Sequence, residues 1–165
     1  MKRTAAVFVF VAATAVSAGW IGCSRAARDD AGPEKKIGVD PARAAREAMF
    51  GAEALDPAVQ WRASGLGYRI LVPGDGAAPS VGARVRMNYV GRLKDGTVFD
   101  RSKQPVEMAL SGMLAGMSTG LQLLHAGGKA VLFVPPELGY GTHQVAGIPP
   151  NSGLIFEVEL VAVNP

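Results

Sequence analysis

From Tyr68 onward the chain is divided at short intervals by turn-forming clusters: Pro73-Gly74-Asp75-Gly76, Asp95-Gly96, Gly127-Gly128, Pro135-Pro136, and the Gly- and Pro-rich stretch from Gly139 to Ser152. Glycine supplies the positive-φ conformations that tight turns need. Proline fixes its own φ and removes a backbone donor. No long regular element can run through such clusters, so this region folds from short pieces. Their periodicity identifies them. Tyr68 to Val72 is rich in strand-forming residues. Arg84 to Leu93 alternates, with Val85, Met87 and Tyr89 on one face and Arg84, Arg86 and Asn88 on the other, the pattern of a half-buried strand. Asp95-Gly96 is a hairpin signal and Thr97-Val98-Phe99 returns from it. Pro105 to Leu110 is a further short strand. Lys129 to Val134 is apolar after its first residue. Leu154 to Val163 closes the chain as a strand with Leu154, Phe156, Val158 and Leu160 on one face.

One segment has helical period: Leu114, Met117, Leu121 and Leu124. Gly116 and Gly120 lower its propensity, so it is expected to be short and held by packing. One helix among five to six hairpin-connected strands defines an α+β domain, with the helix covering the apolar face of an antiparallel sheet.

The residues before this domain differ in character. Met1-Lys2-Arg3 is a short positive region, and Ala5 to Ala18 is uncharged and built of small or apolar residues, so 1–22 reads as an export signal. The stretch is less apolar than the ~20 residues a membrane span requires, which favours cleavage over retention. Ile21-Gly22-Cys23 resembles the end of a bacterial lipobox, and Cys23, the only cysteine, directly follows the apolar stretch. Lipidation at Cys23 is the expectation. Val16-Ser17-Ala18 is the competing cleavage site and would leave a soluble exported protein. Residues 23–64 read as a polar tether with a short helical extension. Ser24 to Gly38 is polar and charged. Asp40-Pro41 looks like a helix cap with proline at the first position, opening a helix over Ala42 to Phe50, and Asp56-Pro57 looks like a second such start, ending near Gly65. The extension reads as a spacer.

Charge and cysteine usage exclude several functions. Removing Lys2 and Arg3 from 17 basic residues leaves 15 against 14 acidic ones, too even a balance for a nucleic-acid binder. A single cysteine permits neither an intramolecular disulfide nor a cysteine-rich zinc site, and His125 and His143 lack spaced partners, so no metal and no cofactor is expected.

Four motifs then fall in order. They are Asn88-Tyr89-Val90-Gly91 with Asp95-Gly96-Thr97-Val98-Phe99-Asp100-Arg101-Ser102; Gly127-Gly128-Lys129; Pro135-Pro136-Glu137-Leu138-Gly139-Tyr140-Gly141; and Ile148-Pro149-Pro150-Asn151-Ser152 followed by Leu154 to Leu160. Together they resemble the FKBP-type peptidyl-prolyl cis-trans isomerases, over residues 65–165. The resemblance implies a curved sheet of five to six strands wrapped around the short helix, with an apolar pocket between them. It implies catalytic roles for Asp100 and Tyr140 and substrate contacts from Tyr89, Phe99, Val106, Leu114, Met117, Ile148 and Phe156. Val106 and Met117 stand where many members have aromatic residues, which predicts a wider pocket. The implied function is isomerisation of X-Pro bonds in proline-containing exported polypeptides, by a protein of the bacterial cell envelope that is a monomer or weak dimer. A non-catalytic chaperone or peptide-binding module of the same fold is the alternative.

Overall fold

The computed structural model describes residues 40–145 and 147–164. The expected signal peptide, Cys23 and the polar tether up to Gly38 lie outside them. The first helix, α1 (Pro41–Phe50), starts as its sequence suggests: the Asp40 carboxylate accepts the Ala42 N–H at 3.0 Å, and Pro41 occupies a position that needs no donor. The second expected helix does not form. Ala52–Leu55 makes a single 3₁₀ turn, the Asp56 carboxylate accepts the Ala58 N–H at 2.8 Å, and Gln60–Trp61 becomes strand β1. An isolated helix of that length is marginal in water, whereas Trp61 gains a buried aromatic neighbourhood as a strand residue.

The remaining strands are β2 (Gly67–Val72), β3 (Arg84–Arg92), β4 (Val98–Arg101), β5 (Val106–Ala109), β6 (Lys129–Val134) and β7 (Leu154–Asn164), with helix α2 (Ala115–Leu121) between β5 and β6. All pairings are antiparallel, in the order β1-β2-β6-β7-β3-β4, with β5 also on β3. The sheet thus has seven strands among the described residues rather than five or six. The addition is β1; the six strands read from the sequence all form, and β4 and β5 share one edge of β3.

Both faces of the sheet carry core, which explains the continuous apolar run of β6. Ala130, Leu132 and Val134 point to the side covered by α2, where they join Leu66, Val85, Met87, Leu121, Phe156 and Leu160. Val131 and Phe133 point to the other side and meet Phe50, Ala54, Val59 and Ile155. There Phe50 packs edge-on to Phe133 with ring centroids 5.7 Å apart, and Trp61 completes a three-ring cluster. The segment expected to act as a spacer is therefore docked on the sheet. Ion pairs border the joint: Glu53 reaches Arg92 at 2.6 Å, and Arg69 binds Asp56.

Helix α2 lies close against β6 because its inner face is glycine. A Cβ at Gly116 would come within 2.5 Å of Val134 Cγ1, and one at Gly120 would overlap Leu132 Cδ1. Leu124, the last residue of the apolar stripe, falls beyond the helix in the following turn, where it is fully buried.

Candidate active site

The site begins where the edge of β3 changes partner. Strand β4 pairs with Val90 to Arg92 and β5 with Arg84 to Met87, leaving Tyr89 at the gap. Ser102 fills that gap with hydrogen bonds. Its N–H donates to the Tyr89 carbonyl at 2.9 Å, and its Oγ accepts the Tyr89 N–H at 3.0 Å. The sheet opens here, and a cavity of about 230 Å³ lies between it and α2. Met87, Tyr89, Phe99, Asp100, Met108, Gly112, Met113, Leu114, Met117, Tyr140 and Phe156 line it.

One side of the cavity is aromatic and fixed. Phe99 stands edge-on to Phe156 at 5.6 Å between centroids, the geometry ring quadrupoles favour. Gly91 makes the pair possible, since a Cβ there would lie 2.7 Å from Phe99 Cζ and 2.8 Å from Phe156 Cε1. The Tyr89 hydroxyl donates to Asp100 Oδ2 at 2.7 Å, tying the carboxylate to the cavity mouth. Burial, and then the hydrogen bond to the Asp100 carboxylate, push the Tyr89 phenol up to about 12. It therefore acts as a neutral donor at ordinary pH. Tyr140 enters from the loop that follows the 3₁₀ turn Pro136–Leu138 and is half-buried at the mouth. Leu114 stands at the N-cap position of α2, where a backbone N–H has no acceptor within the helix.

Tyr89, Phe99, Asp100, Leu114, Met117, Tyr140 and Phe156 thus meet around one cavity. Val106 and Ile148 do not line it. Val106 pairs with Met87 across β5 and β3, and its half-buried side chain packs against the core. Ile148 follows Gly147, whose φ of +79° turns the loop inward, and it is buried in the core with its N–H donating to Val145. Met87, Met108, Gly112 and Met113 were not expected at the site. Met87 was legible as an inward strand residue, but nothing in the sequence marks Met108 or Met113. His125 and His143 each bond a nearby backbone carbonyl, at 3.0 and 3.2 Å, in loop roles.

A larger cleft of about 320 Å³ lies between α1, the β3–β4 turn and residues 149–153. Lys94 and Asp95 share its wall, no aromatic side chain lines it, and it holds none of the expected residues. An apolar pocket with a few converging polar groups is the better candidate for ligand binding, and the smaller cavity has that character.

The family model described as FKBP-type peptidyl-prolyl cis-trans isomerase matches residues 76–161. The FKBP-type peptidyl-prolyl cis-trans isomerase FkpA of Escherichia coli is 43% identical over 115 residues, covering 68% of this chain and 43% of that protein. The outer membrane protein MIP of Legionella longbeachae is 38% identical over 126 residues, covering 74% of this chain and 54% of that protein. The chain thus spans about half the length of these curated relatives. A crystal structure of a peptidyl-prolyl cis-trans isomerase from Pseudomonas syringae superposes with a TM-score of 0.68 at 36% identity, covering 76% of this chain and 95% of that one. By matched motifs, fold and relatives alike, the chain belongs to the FKBP-type peptidyl-prolyl cis-trans isomerase family.

Proposed function

We propose that this protein isomerises X-Pro peptide bonds of exported polypeptides without covalent chemistry. The observation that carries the proposal is the apolar cavity between sheet and α2 with Asp100 and Tyr140 at its mouth. The X-Pro barrier is ~18–20 kcal/mol because the amide has partial double-bond character. A turnover on the order of 10²–10³ per second requires a barrier of ~13–15 kcal/mol, so the site must remove roughly 5 kcal/mol. In the twisted transition state resonance is lost and charge leaves the carbonyl oxygen. A dry apolar wall favours that state over the water-solvated planar amide. Phe99, Met117 and Phe156 hold the proline ring in this scheme. The Leu114 N–H and the Tyr140 hydroxyl hold substrate carbonyls. Asp100, oriented by Tyr89, faces the rotating carbonyl.

Refolding of a protein limited by proline isomerisation tests the proposal. Catalytic amounts are expected to shorten the slow phase. A raised yield at stoichiometric amounts, with the slow phase unchanged, would instead favour the non-catalytic chaperone.

Residues 1–22 direct export in this proposal, and Cys23 carries the lipid that holds the protein at the cell envelope. Two or more acyl chains give stable anchoring where one does not, at ~0.8 kcal/mol per buried methylene. Mass spectrometry of the mature N-terminus is expected to find a lipidated Cys23. A start at Gly19 with unmodified Cys23 would leave a soluble exported enzyme.

A further inference from the structure

Four of the chain's six methionines converge on the cavity. They come from separate elements: Met87 from β3, Met108 from β5, Met113 from the bend after the 3₁₀ turn Leu110–Gly112, and Met117 from α2. Met87 and Met117 are buried, 0% and 6% exposed, whereas Met108 at 37% and the half-buried Met113 are partly open to solvent. The same lining holds the Phe99–Phe156 pair and the Tyr89–Asp100 hydrogen bond. The cavity lining therefore combines a rigid aromatic part with a compliant methionine part. Aromatic rings fixed by a neighbour keep a single shape. Methionine is unbranched, with three rotatable bonds and a polarisable sulfur, so a wall of it repacks around different shapes.

We infer that this division sorts the two parts of the substrate: the fixed aromatic residues read the invariant proline ring, and Met108 and Met113 accommodate the variable residue preceding it. The substrate class is then apolar-X-Pro segments in which X ranges widely in size. A rigid apolar wall would instead discriminate steeply, since a single methylene is worth roughly 10–200-fold in a fixed pocket. The inference rests on the isomerase reading, which supplies the proline-containing substrate.

The test uses a peptide series with Ala, Val, Leu, Met and Phe before proline, and compares the native protein with Met108→Ile/Met113→Ile. Isoleucine is of similar size but branched at Cβ, which stiffens χ1. Both kcat/KM and the peptide dissociation constants are measured. For the native protein the series is expected to stay within about tenfold, below the discrimination of a rigid pocket. For the double variant it is expected to spread beyond that, with Phe losing most. A variant profile parallel to the native one, including a uniform fall for all five peptides, overturns the inference, as does steep selection by the native protein. If no peptide is turned over, the isomerase reading fails, and the dissociation constants still decide whether Met108 and Met113 set the range.

Discussion

Asp100 and Tyr140 illustrate how little polar chemistry the cavity mouth contains. Each is a single group beside apolar walls, and Asp100 is held in place by the Tyr89 hydroxyl. Asp100→Ala and Tyr140→Phe are each expected to lower kcat/KM by up to about tenfold, the value of one lost carbonyl-directed interaction. Circular dichroism should show an unchanged fold; unchanged kinetics in both would remove these residues from the mechanism. Tyr89 gives a pH signature. Its phenol is raised from the ordinary 10.0 to about 12 in the folded protein. The folded state therefore favours the neutral form. The stabilisation is fully present below pH 10 and is lost as pH rises toward 12. Denaturant melts across that window should show a loss of stability that Tyr89→Phe reduces.

Among the elements, α1 and the 3₁₀ turn after it act through packing on the sheet face opposite α2. Phe50 is buried against Trp61 and Phe133, and its truncation removes the ring contacts to both. Phe50→Ala is expected to cost about 3–5 kcal/mol in a denaturant melt, with kcat/KM per folded molecule retained. Retained stability would mean that the extension does not contribute to the folded unit. Sequence reading placed helix α1 correctly through Asp40 and Pro41, because capping is local. It missed the docking, because α1 has a thin apolar stripe and its partners Phe133 and Ile155 are distant in the chain. Gly116 and Gly120 show the same limit. In sequence they appear only as a propensity penalty, whereas in space they allow close approach of α2 to Val134 and Leu132.

At the scale of the whole molecule, the turn clusters and the alternation of β3 and β7 made the α+β class and most strands legible. Two-residue β1 has no period to read, and the shared edge of β3 follows from the Ser102–Tyr89 hydrogen bonds rather than from hydrophobic pattern. For the site, linked motifs located the aromatic side and the polar mouth. Met108 and Met113 were invisible because a methionine on a short strand or in a bend carries no positional signal. Val106 and Ile148 went the other way: the resemblance points to both positions, while their side chains are taken by the core. The central claim is that the cavity lowers the X-Pro barrier itself. Exchange spectroscopy on a proline peptide, with and without protein, tests it most directly. Uncatalysed exchange takes tens to hundreds of seconds. With the native protein in catalytic amount, cis and trans signals are expected to exchange measurably faster, at an unchanged equilibrium ratio. Binding of the peptide with no gain in exchange rate would contradict the claim.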